Sequence, residues 1–327
     1  MYLKAQFNSI ETVTLILALD FGGTKLAAAV MEGDDREWRQ YARRLSPPEA
    51  NATTDIEIMV ELATSVLGGA KPTAIGVSFG GPVDAIAGNV RLSHHVPGWE
   101  NIPLQQFLQE KFAAPVSIDN DANIAALGEW HYGAGQEYES LFYITISTGV
   151  GGGWIINGKP WRGAEGMAGE IGHMVVDPSG PLCLCGKRGC VERLASGPYM
   201  AQDVQELLQT GRRGEVVAEL IRNHPPVVTG KIVSEAAELG DRLAQEILYR
   251  GAWGLGVGIG NVANLINPQL FVLGGSVTKA GKRWWEVVRQ TARDTALPEV
   301  NFQIVPAALA DDAPLWGAVA LAKNEGK

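Results

Sequence analysis

Short, almost unbroken apolar runs alternate along this chain with longer stretches of helical periodicity. The runs at Thr14–Asp20, Leu26–Met31, Ala74–Phe79, Pro115–Asp119, Leu141–Ser147, Gly151–Ile156 and Gln269–Leu273 predict strands, with Ala74–Phe79 and Gln269–Leu273 buried. A further strand is expected over Trp38–Leu45. Helices are predicted from about Asp55 to Leu67, from Asn120 or Asp121 (either can cap it) through Trp130, and over Gln202–Gln209, Asp241–Ile266, Trp284–Thr295 and Asp312–Lys323. The long helix ends at Asn267-Pro268 and carries four alternate glycines, Gly254 to Gly260. These weaken it, and they imply close packing against a neighbouring element. The last helix is expected to return to the first lobe.

Two of these units look alike. A strand, a glycine turn and a second strand occur at Asp20–Met31 and again at Leu141–Ile156, which suggests a duplicated α/β unit. A length of 327 residues then reads as two lobes. The expected division is a smaller N-terminal lobe of residues 1–122 plus 309–327 and a larger lobe of residues 123–308.

Composition narrows the classes. Hydrophobic residues make up 46% and charged residues 19%, an ordinary globular balance, and the net charge of -9 argues against a nucleic-acid-coating surface. The apolar stretch near Ala252–Ile266 is short for a membrane span, and Met1–Glu11 lacks a signal-peptide pattern. The expectation is a cytoplasmic protein with neither nucleic-acid nor membrane partners, and residues 1–13 read as a leader of no assigned function. The three cysteines all lie between Cys183 and Cys190, an odd and tight cluster that points to metal before disulfide.

Four segments carry candidate chemistry. In Asp20-Phe21-Gly22-Gly23-Thr24-Lys25 the glycines allow a tight turn whose amides can meet phosphate oxygens. Thr24 adds a hydroxyl, Lys25 a positive charge, and Asp20 a carboxylate able to hold magnesium through water. The spacing is not that of a Walker loop, and an ordinary hairpin is the plainer alternative. Ser147-Thr148-Gly149-Val150-Gly151-Gly152-Gly153 is a second phosphate-turn candidate, and Gly274-Gly275-Ser276 follows another buried strand. Three such turns at strand ends suit a nucleotide bound between lobes.

Asp119-Asn120-Asp121-Ala122-Asn123 supplies acid–base chemistry. Asp121, at a strand-to-helix junction, can take the proton of an attacking hydroxyl, or serve only as a helix cap. A glycosidase carboxylate pair made of Asp119 and Asp121 is disfavoured, since residues two apart on a short segment offer no evident separation across a glycosidic bond. Between Gly169 and Glu192, His173, Cys183, Cys185 and Cys190 provide one imidazole and three thiolates, a closed tetrahedral set suited to structural zinc. Gly186 and Gly189 let the knuckle turn, and the knot can aim Glu170 and Glu192 at sugar hydroxyls.

Taken in order, these segments resemble the ROK family, named for repressors, open reading frames and kinases, over nearly the whole chain from Leu15 to about Ala322. The cysteine segment is the most specific part of the likeness. The resemblance implies an actin-like, ribonuclease-H-like ATPase fold of two α/β lobes closing over ATP and sugar, with the zinc knuckle in the larger lobe. It implies ATP and Mg2+ at Asp20, Gly22, Gly23, Thr24, Lys25, Thr148, Gly149 and Gly151, with Gly274 and Gly275 on the adenosine side. Asp121 matches the catalytic base, and Gly81, Asn120, Glu170, His173 and Glu192 match sugar-contacting positions, His173 serving zinc and sugar through its two ring nitrogens. A homodimer or homotetramer is implied as well.

The Gly-Glu-Ile-Gly-His-Met run looks most like glucokinase-type members, which implies glucose and transfer to its 6-hydroxyl. N-acetylmannosamine, N-acetylglucosamine, fructose and mannose are the alternatives. Gly80-Gly81-Pro82 stands where Pro-Gly-Pro is more usual, and His95 where Asn is frequent, changes that bear on the sugar. His94 and His95 read as surface-loop residues, and His131 and His224 have no motif around them. A repressor needs a helix-turn-helix module ahead of Asp20, where 19 residues are too few for one. A binding or chaperone-like ATPase of the same fold leaves Glu170 and Glu192 unexplained.

Overall fold

The computed structural model describes residues 14–93, 95–222 and 227–324. Its elements run β1 (Leu15–Phe21), β2 (Lys25–Glu32), β3 (Gln40–Leu45), α1 (Ala52–Leu67), β4 (Ala74–Phe79), β5 (Val83–Asp84), β6 (Asn89–Val90), α2 (Leu104–Phe112), β7 (Val116–Asn120) and α3 (Asp121–Tyr132). The second half follows with β8 (Ser140–Ile146), β9 (Val150–Ile156), β10 (Lys159–Pro160), α4 (Val191–Ala195), α5 (Gly197–Gln209), α6 (Glu215–Arg222), α7 (Gly230–Glu238), α8 (Arg242–Ile266), β11 (Leu270–Gly274), α9 (Lys282–Thr295), β12 (Gln303–Pro306) and α10 (Ala313–Asn324).

Two five-stranded mixed sheets have the same plan. In the first the order is β3-β2-β1-β4-β7, in the second β10-β9-β8-β11-β12. Each begins as an antiparallel meander and continues in two parallel strands. The duplicated unit expected from the two strand–turn–strand patterns is present, in the α/β architecture that the resemblance implied.

Residue alternation decides which layer each sheet face meets. Leu15, Leu17, Leu19 and Phe21 point into a core shared with α1 and α2. Ile16 and Ala18 point the other way, into a core shared with α3, α10 and the second sheet through Leu141, Tyr143 and Leu270. A third core joins β8 and β11 to α5, α7, α8 and α9. With layers on both sides the central strands β1, β2, β4 and β11 are apolar and buried, while the edge strands β3 and β12 are largely exposed.

Helix α10 returns to pack on β1 and β4 and lies against α3. Glycine makes that approach possible, since a Cβ on Gly317 would strike the Ile124 carbonyl and one on Gly128 the Ala313 carbonyl. The glycines of α8 act as expected and divide between two partners. Gly256 and Gly260 face α9 at Thr291 and Thr295, while Gly254 and Gly258 face Leu194 and Val191 of α4.

Boundaries differ from expectation where caps decide them. Asn51 caps α1, accepting from Thr54 N at 3.0 Å, so the helix starts at Ala52 rather than Asp55. Gly197, followed by Pro198 at the helix start, begins α5 five residues before Gln202. Several short elements, among them β5, β6, β10, β12, α2, α4, α6 and α7, have no counterpart among the sequence expectations.

Candidate active site

The apolar alternation of β1 breaks at Asp20, on the face turned toward α3 and α10. Register places Ser78 of β4 beside Asp20 and Asp119 of β7 beside Ser78, a polar row at the carboxyl ends of three parallel strands. Open α/β sheets bind ligands at such strand ends. Asp20 is only 6% exposed and accepts the Ser78 hydroxyl at 2.8 Å. Burial pushes its carboxyl up to about 6 against the pull of Ser78 and Lys25, with Asp312 adding to the rise.

The turn after Asp20 closes through Gly22 N–H to the Lys25 carbonyl at 3.0 Å. Lys25 Nζ lies 3.9 Å from Asp311 at the start of the α10 segment. The His95 ring rests against Gly23, where an added Cβ would come within 2.7 Å of Cδ2. His95 is exposed, as expected of a loop residue, yet it touches the first turn directly.

At the β7–α3 junction, Asn120 is the cap. Its side-chain oxygen accepts Ala122 N–H at 3.0 Å, and its Nδ2 donates to the Gly81 carbonyl at 3.1 Å and to Asp121 Oδ1 at 3.0 Å. Asp121 also accepts Ala122 N–H at 2.8 Å. Burial raises the Asp121 carboxyl to about 7, with the negative charge of Asp20 next in weight and a smaller push from Glu170. Hydrogen bonds from Ala122 and Asn120 oppose that rise. Asp121 is thus a carboxylate poised near neutrality, close enough to feel the first turn on one side and Glu170 on the other.

The second turn joins β8 to β9. Glu192, at the start of α4, accepts Val150 N–H at 2.9 Å, and its Oε2 would lie 2.7 Å from a Cβ on Gly149. Gly275 has φ near 90° and backs onto the Ile146 carbonyl, so only glycine fits there. Ser147 and Ser276 hydroxyls meet at 3.1 Å. Beside them opens a cleft of about 1160 Å³, lined by Thr148, Val277, the Gln202 and Glu206 face of α5, and the Lys231 and Glu235 face of α7. The sequence expectations lack these helical residues. Gln202, Gln205, Glu206 and Gln209 form a polar stripe at helical spacing, a signal that also fits an ordinary solvent face.

His173, Cys183, Cys185 and Cys190 converge, with one donor atom from each lying within 4.8 Å of the others. His173 Nδ1 is buried and has no protein partner, and Cys185 and Cys190 sulfurs stand 3.6 Å apart. A backbone hydrogen bond from Lys187, helped by the neighbouring thiols, lowers the Cys185 thiol to about 7. Burial and the adjacent sulfurs push Cys190 up to about 12. A closed set of three thiols and an imidazole with an orphaned nitrogen fits a soft tetrahedral cation.

The candidate residues thus gather along one connected region. Asp121 lies within electrostatic reach of Asp20 and Glu170, Asn120 bonds the Gly81 carbonyl, and Glu192 joins the second turn, whose Gly151 sits against Ala122; Ser276, next to Gly275, lines the cleft. Asp119, considered as half of a glycosidase pair, is instead engaged by Arg162, whose Nε donates to it at 2.6 Å. His94 and His224, and residues 1–13, lie outside the described residues. No helix among those described is long and apolar enough to cross a membrane.

Residues 16–325 match the profile of the ROK family. A glucokinase from Halalkalibacterium halodurans is 35% identical over 318 residues, covering 94% of this chain and 95% of that protein. Among solved structures, a ROK hexokinase from Thermus thermophilus superposes with a TM-score of 0.81 at 31% identity, over 96% of this chain and 99% of its own. A ROK family glucokinase from Streptomyces griseus, in complex with glucose and AMPPNP, gives 0.80 at 32% identity over 95% and 99%.

Proposed function

The chain belongs to the ROK family, and we propose that it transfers the terminal phosphoryl group of ATP to the 6-hydroxyl of a hexose, glucose before other sugars. The observation that carries this reading is Asp121, a carboxylate raised to about 7 between a phosphate-type turn and Glu170. The similar chains named glucokinase and the neighbour holding glucose and AMPPNP support the substrate pair.

In this reading Asp121 accepts the proton of the attacking hydroxyl, and Asn120 fixes the orientation of its carboxylate. Asn120, Glu170, His173 and Glu192 hold the sugar, with Gly81 turning the chain beside it. The nucleotide base lies in the cleft between α5 and α7, while amides of the two turns face phosphate oxygens. Asp20 fits a magnesium site: its buried charge, raised further by Asp312, would be relieved by a cation, which would supply neutralisation of the phosphate oxygens. His173, Cys183, Cys185 and Cys190 would hold zinc as a closed structural site, which would brace the segment between Glu170 and Glu192. The lobe division at residues 122/123 and 308/309 belongs to the same proposal.

The test is ATP-dependent phosphorylation across glucose, mannose, fructose, N-acetylglucosamine and N-acetylmannosamine, with zinc measured on the same sample. Asp121→Asn is expected to lower turnover by roughly a hundredfold or more while sugar affinity stays within a few-fold. About one zinc per chain is expected. Turnover close to wild type in that variant would sink the assignment of the base, and absence of sugar-dependent ATP consumption would sink the kinase.

A further inference from the structure

Asp119 stands two residues ahead of the base, and both of its carboxylate oxygens are engaged. It is 2% exposed. One carboxylate oxygen accepts the Asn120 backbone N–H at 2.8 Å and Asn123 Nδ2 at 3.2 Å, and the other accepts Arg162 Nε at 2.6 Å. Asp119 belongs to the first sheet, whereas Arg162 follows β10 at the edge of the second. The pair therefore ties the two sheets together at the reactive end of α3.

Arg162 is also joined to the opposite side of the sugar site. Its carbonyl accepts Ala168 N–H at 3.0 Å, closing a loop whose Gly163 and Gly166 have left-handed φ of 71° and 76°. Two residues beyond Ala168 comes Glu170, and Gly169 between them is pressed against the Gly152 carbonyl. The side chain of Arg162 holds the segment bearing Asn120 and Asp121, while its backbone closes the loop that delivers Glu170.

We propose that Arg162 is a positioning residue for phosphoryl transfer, setting Asn120 and Asp121 against Glu170 and His173 through its contact with Asp119. The proposal rests on the hexose kinase reading. Asn120 is the first link, because its backbone is held by Asp119 while its side chain spans the Gly81 carbonyl and Asp121. Loosening Asp119 frees Asn120, and Asp121 loses its orienting donor. A planar guanidinium suits the task because its Nε–H is directional, whereas a lysine ammonium is a point charge on a mobile stem.

The experiment compares wild type, Arg162→Ala and Arg162→Lys as full chains. Steady-state kinetics for hexose and ATP are recorded with and without added guanidinium ion, alongside Tm and zinc content. Arg162→Ala is expected to lose about a hundredfold in kcat/KM for hexose, the scale of a misplaced reacting group, with KM for ATP within about threefold. Guanidinium is expected to restore roughly tenfold, and Arg162→Lys to recover only part of the loss. Zinc-loaded variants within about threefold of wild type on hexose would overturn the proposal. So would a loss that guanidinium leaves unchanged and that follows the unfolded fraction alone. Should Arg162→Ala fail to fold, Arg162→Lys decides, since it keeps a positive charge beside Asp119 and full activity in it refutes the directional role. An inactive wild type overturns the kinase reading together with this proposal, while an active wild type beside an active variant overturns this proposal only.

Discussion

The two glycine turns occupy matching places in the two sheets and are made of different chemistry. Asp20 stands one residue from the end of β1, and Thr145 occupies the corresponding place in β8, paired with Gly151 on one side and Gly274 on the other. The first turn carries its own charges, Asp20 and Lys25. Between Thr145 and Gly153 the second has none, and it borrows a carboxylate from Glu192 to hold Val150. One turn can therefore receive a cation and respond to pH, while the other offers oriented amides and depends on a residue 42 positions away. A duplicated backbone has been given one electrostatic half and one geometric half.

The sharpest way to break that contrast is Asp20→Asn. Activity should fall by about a thousandfold, because charge neutralisation at the phosphates is worth several kcal/mol. Stability should move the other way. The folded pKa of Asp20 is raised from 3.8 to about 6. For a carboxylate raised in the folded state, the native protein binds more protons than the unfolded chain between those values, so stability falls as pH rises through them. A shift of that size corresponds to about 3 kcal/mol in the ligand-free protein above pH 6. Thermal unfolding between pH 4 and 7 without nucleotide or magnesium should show Asp20→Asn gaining on wild type as pH rises. Parallel curves would mean that Asp20 is not held against its own charge.

The same contrast explains what the sequence revealed. The first turn announces itself because its charged and glycine residues are contiguous, and the cysteine knuckle is legible for the same reason. Asp121 read by its place alone as a helix cap, and only the company of the phosphate turns and the cysteine–histidine knot made it a base. The supports are hidden because they are tertiary: Arg162 meets Asp119 across 43 positions, and Glu192 meets Val150 across 42. The cleft wall on α5 and α7 consists of polar residues at helical spacing, a pattern that solvent-facing helices share. Strand β12 escaped because Gln303–Pro306 is four residues long, half-buried at a sheet edge, and ends in proline.

Glu192 separates the two halves with a smaller effect. Glu192→Gln keeps an oxygen that can accept Val150 N–H but removes the charge, whereas Glu192→Ala removes both. A hydrogen bond to a charged group is worth roughly 1.5–3 kcal/mol, so Glu192→Ala should raise KM for ATP by about tenfold as well as KM for hexose. Glu192→Gln should change the hexose constant while leaving that for ATP nearly in place. Equal effects of the two variants on ATP would show that the second turn holds its shape without the carboxylate.

The finest test is the pH dependence of kcat/KM for hexose at MgATP well below its own KM, where it reports the enzyme free of both nucleotide and sugar. With Asp121 raised to about 7, the base is protonated below that pH, and activity should fall about tenfold for each further unit. Asp20 is the largest charged contributor to that rise, Glu170 a smaller one, and Glu192 is not among the groups that set it. The acidic limb measured on the residual activity of Asp20→Asn should therefore shift to lower pH, and that of Glu192→Gln should stay where wild type has it. A limb that moves equally in both variants would erase the distinction between the turns, since the second would then be acting on the base through charge as well. A limb that moves in neither would place the titrating group outside Asp121.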